Sequence, residues 1–249
     1  MPALTDSMVH AAALNNALWC DTMYRLHHRP GQLQEACWIT RHAPLPFYPN
    51  VVTLTPGIAP ARYSAIINAL CIAGLTGEWG VKDSFAQLDL HALQFRILFE
   101  GTWFWRAPAR VAQDGALAAL RWTTLTRDAE LAAWERAWRA ASPGPDLRLF
   151  QPALLAEPHI AVIASYQGAQ IVAGAIACRS AGAVGCSNMF VPAHAARHFQ
   201  QGCLAAVMAA FPDVPLVGYS SGPAEVVRQL ACEPIGRMRV WLHKPSASP

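Results

Sequence analysis

The sequence predicts an α/β (α+β) protein: a mixed, mostly antiparallel sheet flanked by helices. Three observations carry that expectation. From residue 120 onward, runs of strand and helix period follow one another as β, α, β, β, β, α, β, α, β. The first half has a β–α–β pattern of its own, which adds a second, N-terminal unit. The chain of 249 residues is 53% hydrophobic and only 14% charged, so it can bury a sizeable core. The expected division is 1–117 for the N-terminal β–α–β unit, a diverged half-copy being one reading of it, and 118–249 for the C-terminal domain.

In the first half, residues 5–26 read as a helix, with Asp6 and Ser7 able to cap it and Leu14, Leu18, Met23 and Leu26 at helical spacing. HHRPG breaks the chain; CWITR and VVTLT are strand candidates separated by the proline-rich APLPFYPN. Pro60 opens a helix that Gly74 is placed to stop. WGVKDSFAQLDL sets Lys82, Asp83 and Ser84 between apolar runs, which suits a specificity pocket or a capped turn equally. FRILFEGTWFWRA alternates over more than ten residues, predicting a strand with Phe95, Ile97, Phe99, Trp103 and Trp105 on one buried face and Gly101 at a bulge.

In the second half, LRWTTLT reads as a strand and Thr126 as the cap of a helix presenting Leu131, Trp134, Ala137 and Trp138. IAVIASY and IVAGAIACRS form a hairpin about Gln167-Gly168. AVGCSNMFV, a helix through AAVMAAF, the strand PLVGYSS, a short helix with Gly222 at its cap and Pro223 as first residue, and RMRVWLH complete the chain.

The formal charge of +3 is dispersed, with no run of Lys or Arg, so no nucleic-acid partner is expected. Lys82 and Lys244 are the only lysines. No apolar run is long enough to span a bilayer, and the N-terminus lacks the basic cluster of a signal peptide. Seven cysteines without CxxC spacing read as reduced, mostly buried thiols in a cytoplasmic protein, and no metal site is expected. The adjacent His27 and His28 make a poor metal pair. No phosphate loop of the GxGxxG or GxxxxGK[ST] type, no GxSxG elbow and no HExxH pair is present.

The order and spacing of the segments over residues 170–243, with IVAGAIA, NMFV and CEPIG, resembles the C-terminal core of the GNAT-type (GCN5-related) acyl-CoA N-acyltransferases. The resemblance covers roughly the second half. It implies acetyl-CoA or acyl-CoA as co-substrate, lying in a splay between two adjacent parallel strands. It implies that the main chain of Met189, Phe190 and Val191 pairs with the pantetheine, with an N–H of Phe190 or Val191 polarising the thioester. The following helix N-terminus would take the pyrophosphate, aided by Arg197, Gln201 and Gly202. Phe199 and Gln201 stand where the family places small residues, and the stretch also reads as an ordinary amphipathic helix. The tyrosine that protonates the departing thiolate in the family falls at Val227, which has no proton to give. Tyr219 and Ser220 could substitute, and Asn188 is the only amide on its strand; no carboxylate stands there.

The expected activity is acyl transfer from acyl-CoA to an amine of a small molecule or peptide, with the N-terminal unit shaping the acceptor side. The alternative is a catalytically inactive GNAT-like protein that binds CoA or another ligand, or an interaction scaffold. A homodimer with its site between halves stays open.

Overall fold

The computed structural model describes residues 2–75, 77–108 and 121–244. The chain opens with helix α1 (Pro2–Leu26), followed by short strands β1 (Gln32–Leu33), β2 (Cys37–Ile39) and β3 (Val51–Thr53). Helix α2 (Pro60–Ile72) stops at Gly74, whose φ of 74° puts it in the left-handed region and whose N–H donates to the Cys71 carbonyl. Strands β4 (Trp79–Asp83) and β5 (Phe95–Arg106) end the first half. The second half runs β6 (Arg121–Thr124), α3 (Asp128–Ala141), β7 (Ile160–Gln167), β8 (Gln170–Ser180), β9 (Ala183–Phe190), α4 (Ala196–Ala210), β10 (Leu216–Ser220), α5 (Ala224–Gln229) and β11 (Glu233–His243).

All the described strands form one sheet, in the order β1-β2-β3-β4-β11-β5-β10-β9-β8-β7-β6. Among these pairs only β3–β4 and β9–β10 are parallel. Strand β5 of the first half is hydrogen-bonded between β10 and β11 of the second. The two halves therefore share one sheet. The expected boundary segment at 107–117 lies outside the described residues from 109 onward.

Helices α1 and α3 cover one apolar layer. Trp134 of α3 is fully buried and its indole N–H donates to the Ile163 carbonyl at 2.8 Å. Asn15 of α1 donates to the carbonyls of Cys178 and Ser180, nailing the helix across the β8–β9 hairpin. Phe199, Cys203, Leu204 and Val207 of α4 pack a second layer against β8, β9 and β10. Tyr63, Ile67 and Leu70 of α2 form a third with Trp79, Val81 and Trp241.

Several local expectations need correction. β5 does not bury one face only. Ile97 is 37% exposed, while Phe104 on the opposite face is buried against α4. Two causes combine: the pairing with β11 skips Leu98, and β5 is an interior strand covered on both faces toward its C-terminal end. Gly101 is not a bulge, since the register through it is regular. A Cβ there would meet the Ser220 carbonyl at 2.9 Å, so glycine permits close approach of β10. Thr126 is not the cap of α3; the Glu130 carboxylate reaches back to the backbone N–H groups of Thr126 and Arg127. The β7–β8 turn is Gly168-Ala169, and Pro223 precedes α5 rather than opening it. β4 was not foreseen, because all five of its residues are buried and no alternation marks it.

Candidate active site in a strand splay

Strands β9 and β10 are paired only at Val184–Leu216 and Gly185–Val217. Beyond Gly185 they diverge. The β10-facing main-chain edge of residues 186–190 has no strand partner among the described residues. A cavity of about 490 Å³ opens there, with Cys186, Ser187, Asn188 and Met189 on one wall and Tyr219 and Ser220 on the other.

The β9 wall is bent. Between Gly174–Phe190 and Ile176–Ser187 the register with β8 slips, leaving Asn188 and Met189 opposite Ala175 alone. Asn188 takes a φ of 51°, a left-handed conformation that asparagine tolerates better than most residues. Its side-chain oxygen accepts a hydrogen bond from the Tyr48 hydroxyl at 3.1 Å, so a first-half loop braces the bulge.

The β10 wall carries Tyr219, 36% exposed, stacked on Phe99 and edge-on to Trp103. The Lys82 ammonium lies over its ring, 4.2 Å from the centroid. Ser220 Oγ accepts from the Gly222 N–H. The floor comes from the first half, through Asn16, Trp19 and Cys20 of α1 and Lys82 of β4. Burial pushes the Cys20 thiol up to about 11, and burial likewise raises Tyr48 well above the usual phenol range. Both are neutral at physiological pH.

Of the residues singled out in the sequence, Lys82, Asn188, Met189, Tyr219 and Ser220 meet at this cavity. Phe190 turns its ring into the core against Trp134, and Val191 packs on the α4 layer. α4 begins at Ala196 after a short 3-10 turn at Ala193–Ala195. Arg197 is therefore in the first turn of α4, and exposed. Gln201 and Gly202 are in the second turn, away from the free N–H groups. Gln201 gives its amide to the Gln229 carbonyl, Gly202 is buried, and Gln200 lines the cavity instead. Val227 is fully buried in the α4 layer.

Sequence reasoning missed Asn16 and Tyr48, which lie in segments without a motif. The polar group Lys82, Asp83 and Ser84 divides between its two readings: Lys82 lines the cavity, while Asp83 caps a turn by accepting from the Phe85 and Leu88 N–H groups.

The arrangement of sheet and helices as a whole is similar to known structures. The fold is that of the GCN5-related N-acetyltransferases. A GCN5-related N-acetyltransferase from Kribbella flavida superposes with a TM-score of 0.60 at 13% identity, covering 94% of this chain and 96% of that one. One from Sphaerobacter thermophilus gives 0.55 at 9% identity over 80% and 73%. A GNAT-family acetyltransferase structure from Novosphingobium aromaticivorans gives 0.52 at 11% identity over 94% and 99%. No protein-family model matches the sequence, and no curated protein matches it significantly. The likeness extends through both halves and not the second alone. No described helix is long and apolar enough to cross a membrane.

Proposed function

We propose that this GNAT-like protein transfers an acyl group from acyl-CoA to an amine of a small molecule or peptide. The observation that carries the reading is the divergence of β9 and β10 after Gly185, with the Asn188 bulge facing the resulting cavity. An unpaired strand edge suits the amide-rich pantetheine arm, which pairs as an added strand would. The residues that would hold acyl-CoA are Met189, Phe190 and Val191 through their main chain, and the first turn of α4 with Arg197 for the pyrophosphate.

In the reaction a neutral amine attacks the thioester carbon. A C–N bond forms, the C–S bond breaks, and the sulfur takes a proton while the amine nitrogen loses one. Backbone N–H groups at the bulge are suited to stabilise the carbonyl oxygen as charge develops there. No Asp or Glu lines the cavity among the described residues, and Val227 is buried core. Proton delivery to the sulfur falls to Tyr219 or Ser220, and deprotonation of the amine to water in the cavity.

A second reading rests on the same two facts. Without a carboxylate and without a hydroxyl at Val227, the splay can serve as a CoA-binding site with no turnover. Thiol release from acetyl-CoA over an amine panel, beside calorimetric titration with CoA, separates the two. Binding with turnover supports the transferase. Binding without turnover supports the second reading. Absence of binding at concentrations far above a micromolar Kd removes both.

A further inference from the structure

Lys82 is 4% exposed, and it lines the cavity. Among the described residues it has one hydrogen-bonded partner, the Asn16 side-chain oxygen at 2.8 Å, and one aromatic face, that of Tyr219. An ammonium carries three N–H donors. A buried charge is costly unless it is paired, and no carboxylate among the described residues forms an ion pair with it or lines the cavity. Asp83, next along β4, points to the other side of the strand. Its oxygens accept from the N–H groups of Leu88 and Phe85. Cys20, Tyr48 and Cys186, which also line the cavity, are held in their neutral forms by burial. The ring of Tyr219 offsets part of the charge but accepts no second strong hydrogen bond. Among the described residues lining the cavity, Lys82 carries the only charge.

A lone cation, pre-positioned among neutral polar and aromatic side chains, is the design of an anion subsite. It lies on the α1–β4 floor, which is set by the first half, against the ring of Tyr219 from the β10 wall. We propose that Lys82 and Asn16 form a carboxylate subsite, and that the acceptor is a primary amine which also bears a carboxylate, as a free amino acid does. This rests on the acyltransferase reading for the identity of the acceptor. The carboxylate preference stands on the Lys82 geometry alone. The same chemistry could come from a dicarboxylic acyl group on the CoA side, as in succinyl-CoA, and the test separates the two sources.

The experiment uses the full chain. Calorimetry or thermal shift is run with a panel of N-acetyl amino acids, each beside the N-acetyl amine lacking the carboxylate, and with succinyl-CoA beside acetyl-CoA. The expected result is that at least one N-acetyl amino acid binds about tenfold or more tightly than its decarboxylated counterpart, the value of one hydrogen-bonded charge. Asn16→Asp, which is isosteric and places a competing carboxylate on the Lys82 ammonium, should erase that preference while keeping the fold. Lys82→Met should erase it as well. Equal binding of both panel members, or a preference that survives Asn16→Asp, overturns the proposal. So does a carboxylate preference confined to succinyl-CoA, which moves the subsite to the acyl donor. CoA binding measured in parallel keeps the outcomes apart. CoA binding without carboxylate preference sinks only the subsite. Carboxylate preference without CoA binding sinks the acyltransferase reading and leaves the subsite standing.

Discussion

The Tyr48 hydroxyl and the Asn188 side-chain oxygen are 3.1 Å apart, which joins a first-half loop to the bulge of β9. One hydrogen bond thus spans the two halves at the point where the sheet opens. It fixes the side chain of a residue whose backbone is in the left-handed region. The bulge is supported from the first half of the chain, so the wall proposed to face the thioester depends on residues far away in sequence.

Asn188→Val should destabilise the protein by about 1–2 kcal/mol, because a β-branched residue is strained at positive φ. Asn188→Gly should cost less, since glycine takes that conformation freely. Tyr48→Phe should cost about 1 kcal/mol in wild type and much less in the Asn188→Gly background. Urea unfolding of the four proteins and the double variant measures all three. A Val variant as stable as the Gly variant would mean that the backbone there is not left-handed.

Gly185 and Asn15 form a second coupled pair. A Cβ at Gly185 would clash with the Asn15 side-chain oxygen. Gly185→Ala alone should therefore be strongly destabilising, by overpacking of about 1–3 kcal/mol plus loss of the Asn15 bonds to the hairpin. Asn15→Ala should lose those bonds but make room. The double variant should be more stable than the sum of the two single effects predicts. Simple additivity in a thermal-unfolding cycle would contradict the packing described.

The faces of β5 can be read by truncation. Trp103 is almost fully buried, and its indole N–H donates to the Ser84 carbonyl at 2.8 Å. Trp103→Ala should cost about 3–5 kcal/mol. Ile97→Ala, at a side chain left partly in water, should cost well under half of that. Similar losses at both positions would restore the single buried face that the alternation suggests.

Alkaline pH should unfold the protein gradually. Burial raises the thiols of Cys20 and Cys37 from 9.0 to about 11, and that of Cys178 to about 12. In the unfolded chain they release protons near their ordinary value, so above it the native state holds more protons than the unfolded state. Their contribution is complete below about pH 9 and is lost as pH rises toward about 11–12. The urea midpoint should be flat between about pH 7 and 8.5 and fall beyond, with a shallower fall in Cys178→Ala. A midpoint that holds steady to about pH 11 would show these thiols to be solvated.

What the sequence displayed and what it hid have physical causes. The helix over residues 60–72 was legible because Pro60 and Gly74 punctuate it. The β7–β8 hairpin was legible because long apolar runs flank a glycine turn. β4 was not, since a strand buried on both faces shows no alternation and its lysine reads as a loop residue. The insertion of β5 between β10 and β11 is a pairing between distant segments, and no local pattern encodes it. At the site, Asn188, Tyr219 and Ser220 could be found because they end strands beside a helix. Asn16 and Tyr48 could not, since a helix residue and a loop residue reach the cavity only through the tertiary arrangement.

The helix after β9 carries the last prediction. The sequence suggested Arg197, Gln201 and Gly202 as one pyrophosphate group, whereas α4 begins at Ala196 and separates them by a turn. Only Arg197 stands where the helix end concentrates positive potential and unbonded N–H groups. Gly202 is enclosed by the α4 layer, and Gln201 is engaged with the end of α5. Arg197→Ala should accordingly weaken CoA about tenfold without changing thermal stability, since it removes a charge-assisted contact made only to ligand. Gly202→Val should do the reverse: lower the melting temperature, because a branched side chain must enter a closed layer, and leave CoA affinity of the folded fraction nearly intact. Gln201→Ala should change neither by much. Calorimetric titration of CoA beside thermal unfolding for the three variants decides the matter. If Gly202→Val folds normally and loses CoA while Arg197→Ala binds as wild type does, the phosphate contact lies in the second turn and the helix start has been misplaced.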